Sequence, residues 1–175
     1  MKTTALVFLL FFAVSLAAQD TQSCPMHKQH LASSSGHATD LEQRGNQGMG
    51  FRQDKTTHHF RLYADGGAIE VTADDSSDVE NVQAIRSHLT HIAESFSHGN
   101  FSIPMFVHDQ VPPGVLVMQQ RQAAIAYLYE ELAAGGTVRI KTANADALQG
   151  VHDFLRFQIA DHQTGDTTDI SSPAH

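Results

Sequence analysis

Tryptophan is missing from this chain, cysteine occurs once, and aromatic residues make up only 7% of it. So few flat rings argue against a platform that stacks bases or sugars. Cationic side chains are also scarce. Lys and Arg number 11 against 19 Asp and Glu, a formal net charge of −8, which opposes binding to a phosphate backbone and so to nucleic acid. The lone thiol, Cys24, excludes an internal disulfide and is left free, joined to another chain or bound to a metal. The longest apolar run, Ala5 to Leu16 broken only by Ser15, is too short to cross roughly 30 Å of hydrocarbon. No H-E-x-x-H, G-x-S-x-G or phosphate-loop motif occurs. Without a recognisable nucleophile–base set, the sequence argues against an enzyme.

The chain of 175 residues suits one domain. It opens MKTTALVFLLFFAVSLAAQD, with Lys2 ahead of the apolar run and small residues after it. This pattern predicts a signal peptide over residues 1–18, cut after Ala17 or Ala18. The expected location is secreted or periplasmic, with no stable membrane insertion after cleavage. Residues 19–49 are rich in Ser, Gly, Gln, Asn and His. They hold too little apolar surface to offset their ordering entropy and read as a flexible arm. Residues 164–175 read as a flexible tail, which leaves a folded domain over 50–163.

Within that domain, THHFRLYADGGAIEVTADD alternates in the manner of a hairpin. Gly66-Gly67 would form its turn, pairing Leu62 with Val71 and Tyr63 with Glu70. Ser77 and Glu80 form an S-x-x-E start signal. Val79, Val82, Ile85, Leu89, Ile92 and Phe96 then recur at helical spacing, and Gly99 is placed to end the helix. The pattern recurs: AIAYLYEELAAGGTVRIKT predicts a second hairpin turning at AAGG, and Asn144 caps a second helix carrying Leu148, Val151, Leu155, Ile159 and His162 on one face. The expected fold is α+β: tandem ββα-ββα, a four-stranded antiparallel sheet with both helices packed on one face. The connecting segment with Pro104, Pro112 and Pro113 would wrap the sheet edge and end in a short helix.

Histidine is plentiful, at twelve residues. The stretch CPMHKQH places Cys24, Met26, His27 and His30 within seven residues. Thiolate and thioether favour Cu(I), and imidazole suits both copper and zinc. A pliable arm can wrap such an ion. His88 and His91 are i,i+3 neighbours on the first helix and can converge on one ion, although a helical wheel places them toward solvent. His58 and His59 alternate on a strand and face opposite sides; the expected register sets His59 opposite Asp74 and His58 opposite Asp75. Met105 reads as a core plug, and His162 as a group meeting a buried acceptor or the last carbonyls of its helix.

Two resemblances add to this reading. At MGFRQDKTTHHFRLYADGGAIEVTADD, FVHDQVPPGVLVM and FLRFQIADHQTGD, the chain resembles a family of small, uncharacterised bacterial proteins over most of residues 48–169. That likeness implies no site residues. Some members bear the name aspartate carbamoyltransferase, to which this chain lends no support: it has no Ser-Thr-Arg-Thr loop and is too short for two α/β domains. CPMH, at Cys24 to His27, resembles the core of heavy-metal-binding domains on copper pumps and efflux adaptors. Only those four residues match, and Ser23 stands where an aromatic residue often precedes that core. Together these features predict an exported metal-binding protein that buffers or carries copper, with zinc as the other candidate. The alternatives are a module that binds a small ligand, or a protein partner on the open sheet face at Arg61, Tyr63, Glu70 and Thr72, and an enzyme whose histidines form a cleft.

Overall fold

A computed structural model describes residues 40–172. Among the described residues the first element, helix α1, occupies 40–49. Two ββα units follow. The first comprises β1 (Thr56–Tyr63), β2 (Gly66–Ala73) and α2 (Val79–Ser97). Short helices α3 (Ser102–His108) and α4 (Val115–Gln120) lead into the second: β3 (Ile125–Leu132), β4 (Gly135–Thr142) and α5 (Ala145–His162). The strands form one antiparallel sheet in the order β1-β2-β4-β3. Helices α2 and α5 share one face of it, as the tandem pattern predicts.

Strand alternation decides that face. Phe60 and Leu62 on β1, Ile69 and Val71 on β2, and Val138 and Ile140 on β4 all point inward and are buried. Ile85 and Leu89 of α2 meet them from above, beside Val151 and Leu155 of α5; each of these four is at most 1% exposed. Burying one such side chain is worth about 2 kcal/mol, so the shared layer holds the two units together. Helix ends follow local chemistry. Asn144 accepts the amide of Ala147 at 2.9 Å. At the other helix the cap is Asp78, whose side chain accepts from the Asn81 amide, while Asp75 takes Ser77. Gly99, at φ +70°, ends α2 with its amide on the Phe96 carbonyl and the Asn100 amide on that of Ser95.

Both hairpin registers differ from expectation. The first turn is Ala64-Asp65, so Tyr63 faces Gly66 and Leu62 faces Gly67. The second is Ala133-Ala134, with Tyr129 opposite Val138. The glycine pairs are needed elsewhere, inside the sheet. Gly66 and Gly67 of β2 face Lys141 and Ile140 of β4, and Thr72 and Val71 face Gly135 and Gly136. A Cβ on Gly135 would overlap the Val71 carbonyl, and one on Gly66 that of Ile140. Turn position moved while inward and outward parity held, because a side chain's face repeats every two residues.

Three further differences concern the flanks. Residues 40–49, expected within the arm, are helical, with Leu41 buried and the Arg44 Nε donating to the Val107 carbonyl at 2.8 Å. Residues 164–172, expected as a loose tail, run beside the outer edge of β1. There Ser171 donates its amide to the Leu62 carbonyl at 3.0 Å, and Tyr63 and Ser171 form a parallel bridge. The crossover lays α4 against α5 rather than round the sheet edge, with Met118 fully buried and Met105 packed on the core. Among the described residues no helix is long and apolar enough to cross a membrane.

Gly135→Ala should cost about 3 kcal/mol in urea unfolding, because a neighbouring strand's backbone must shift. Gly50→Ala, at φ +75° with nothing within 4 Å, should cost only about 1 kcal/mol for the left-handed backbone. Equal losses would contradict the close approach of β2 and β4.

Candidate functional site

On the inward face of β1, His58 stands in step with Phe60 and Leu62, next along that face from the half-buried Thr56 at the start of the strand. It opens onto a cavity of about 60 Å³ between the sheet, α2 and α5. Ile69, Val71, Leu89, Ile92, Phe96 and Phe154 form its apolar wall. Its polar lining consists of His58, His88, His108, His162 and Gln158. Met49 at the end of α1, with Ile103 and Pro104 of α3, covers it.

The rings hold one another. His58 stacks on His162 with centroids 5.7 Å apart and planes 7° off parallel. His162 meets His108 edge-on at 5.0 Å, and Phe51 packs against both His58 and His88. His108 is anchored hardest. Its Nδ1 lies 2.6 Å from Asp161 Oδ2, and its Nε2 lies 2.9 Å from Gln158 Oε1. Two buried nitrogens facing this region, His58 Nε2 and Gln158 Nε2, have no hydrogen-bond partner. Leaving such a group buried costs on the order of 1–3 kcal/mol.

Burial controls the charge. It pulls His58 down from 6.5 to about 4, with the neighbouring His59 adding to the effect and Asp74 opposing it. His88 falls to about 4 for the same first reason, helped by His58 and His91. His162 falls to about 3, again chiefly through burial, and Asp161 only partly offsets this. These three imidazoles are neutral at pH 7.

The predicted site residues are distributed unevenly. Cys24, Met26, His27 and His30 lie outside the described residues. His88 is half-buried rather than directed to solvent as the wheel placed it; it stands i+3 from Ile85 and i−4 from Ile92, at the edge of the buried stripe. His91 is exposed, with Nε2 3.3 Å from Ser95 Oγ. Both line a surface cleft with residues 47–50. Among the described residues no group of three or more His, Cys, Asp or Glu is placed to share one metal ion. His58 and His59 do face opposite sides, but neither pairs with Asp74 or Asp75. His59 Nδ1 meets Asp166 Oδ1 at 2.8 Å, and Asp74 takes the Thr57 hydroxyl at 2.7 Å. On the open sheet face Arg61 lies 3.9 Å from Glu70, and Arg139 sits over the Tyr63 ring while pairing with Asp65. His162 caps no carbonyl and is a wall of the cavity instead.

Sequence reasoning missed His108, Asp161 and Gln158 as a unit. Gln158 stands i+4 from Phe154, a signal for an inward amide. The pairing of His108 with α5 required the path of α3, which no local pattern marks.

The duplicated units clarify the site. In register, His58 corresponds to Tyr127 and Phe60 to Tyr129. On the helices laid without gaps, His88 corresponds to Phe154, and Phe96 to His162. The His58–His162 contact thus has a counterpart in Tyr127–Phe96, at 5.7 Å as well but edge-on. Where the first contact pairs two imidazoles, its counterpart pairs a phenol with a phenyl ring.

Against known proteins, no family model, no curated protein and no solved structure matches this chain.

Because the folded His58, His88 and His162 take up protons only near pH 4 or below, the unfolded chain gains protons first as pH drops through about 6.5. Stability is therefore full above that value and is lost on acidification, at up to about 1.4 kcal/mol per pH unit for each ring. Replacing His162 with Phe should reduce the slope of unfolding free energy between pH 6.5 and 5 by about a third. An unchanged slope in urea titrations would contradict a buried neutral His162.

Proposed function

We propose that the domain is a binding module for a small, mainly apolar molecule, held in the cavity between β1, α2 and α5, and that the protein works after export under its N-terminal leader. The observation carrying this reading is the cavity itself: an apolar wall with a few polar atoms converging on it, which is the usual make-up of a ligand site. Two of those atoms, on His58 and Gln158, are buried and unpaired, and a ligand would satisfy them. Most of the polar lining is uncharged at neutral pH, which favours an uncharged guest. No nucleophile stands beside a positioned base here, so binding rather than turnover is the reading supported.

Xenon enters apolar cavities of this kind and serves as a neutral probe. Under xenon pressure the methyl resonances of Ile69, Val71, Leu89 and Ile92 should shift together, and Leu89→Phe, which fills the space, should abolish the effect. Methyl signals that ignore xenon would overturn the reading. An extract of the native protein should also contain an organic compound in near-stoichiometric amount that is absent from Leu89→Phe.

A second reading, capture of copper or zinc, is favoured by a separate observation. His88 and His91 border the cleft at residues 47–50, imidazole being a common metal ligand, and Cys24, Met26, His27 and His30 precede that cleft in the sequence. The soft ligands for Cu(I) would come from that segment. Calorimetric titration with Cu(I) under reducing conditions should show binding that disappears when residues 19–39 are deleted, a cut that spares α1. Affinity unchanged by Cys24→Ser with Met26→Ala would eliminate this segment as the metal site.

A further inference from the structure

The arrangement of Gln158 narrows the class of guest, an inference that rests on the cavity reading above. Gln158 is 4% exposed, and its amide has two ends. One end is held by His108 Nε2 at 2.9 Å, while Asp161 holds the other ring nitrogen at 2.6 Å. The remaining end has no partner and belongs to a residue lining the cavity. Which end is free depends on the proton at His108. If Nε2 bears hydrogen as well as the Nδ1 that faces Asp161, the ring is a cation, the Gln158 oxygen accepts from it and the amide nitrogen is left to donate. If Nε2 is bare, the amide turns, its nitrogen donates to the ring, and the oxygen is left to accept.

His58 has the same duality. Its unpaired Nε2 accepts in one tautomer and donates in the other. A guest that only accepts, such as an ether, or only donates would leave one of these groups unsatisfied in at least one arrangement. A hydroxyl does both. When one of the pair presents a hydrogen and the other a lone pair, the hydroxyl takes the first and gives its own to the second, and His58 can adopt the tautomer that completes this match. The space, about 60 Å³, is well below the roughly 150 Å³ of an engineered cavity that holds benzene, so the guest is a short chain rather than a ring.

We propose that the cavity recognises a small uncharged alcohol, with its hydroxyl between Gln158 and His58 and its carbon chain among Ile69, Val71, Leu89 and Ile92. Gln158 reads the hydroxyl, and His108 with Asp161 holds Gln158 in position.

The test compares propan-2-ol with 2-chloropropane, which has nearly the same shape and no O–H, by NMR titration of the full mature protein. The alcohol should bind about tenfold more tightly, the worth of one to two hydrogen bonds, and should shift the Gln158 side-chain amide signal. Gln158→Leu should narrow the difference between the two probes severalfold, because only His58 is then left to bond the hydroxyl. If that variant fails to fold, the amide shift in the wild-type protein separates the same two outcomes. Equal binding of both probes, or an amide signal indifferent to the alcohol, would overturn the hydroxyl assignment and leave the cavity reading standing. Failure of xenon and of both probes to bind would overturn both.

Discussion

The contact on which the rest depends is the pairing of β2 with β4, strand against strand with glycine at each end. It joins two ββα units that are each too small to bury their own apolar face. A Cβ at Gly135 would strike the Val71 carbonyl and one at Gly66 that of Ile140, so the two strands meet as they do only with glycine there. Once the strands meet, the two helices are brought side by side over one layer, and Ile85, Leu89, Val151 and Leu155 close it. Everything placed on that layer, including the histidines, inherits its geometry from this pairing.

The cavity follows from how α2 and α5 end. Carbon rings fill the space where Phe96, Phe101 and Phe154 come together, with Phe96 and Phe101 stacked 4.3 Å apart. Phe96 and Phe154 also form part of the cavity wall, and beyond them the lining rings carry nitrogen and leave space unfilled. An imidazole is smaller than a phenyl ring and keeps a polar atom that carbon cannot satisfy. The same substitution therefore produces room and hydrogen-bonding capacity together. Burial then disfavours the charged form of His58, His88 and His162.

Much of this was legible in the chain. The alternation through Phe60 and Leu62, the stripe from Val82 to Phe96, and the repeat of both patterns identify two ββα units and the single covered face. Glycine was misleading in both hairpins, because a Gly-Gly pair suits a tight turn and a close strand approach equally well. Periodicity survives a turn shifted by two residues, so the faces came out right while the partners of His58 and His59 did not. His88 needed weighing against Ile85 and Ile92 rather than against the polar residues around it. The contacts of His108 with Asp161 and Gln158 join residues about fifty positions apart, and no local rule reaches that far. The order in residues 40–49 likewise depends on a tertiary contact, that of Arg44 with α3, which composition does not record.

The register has Ile69 facing Val138, each the other's counterpart in the duplicated pattern. That pair marks a pseudo-dyad through the middle of the sheet. A half-length ββα polypeptide pairing with its own copy through the inner strand would generate the same sheet, with two ends obliged to be identical. Tying both halves into one chain lifts that obligation. Each position and its counterpart can then change independently, as Tyr127 and His58 have, without disturbing the shared layer.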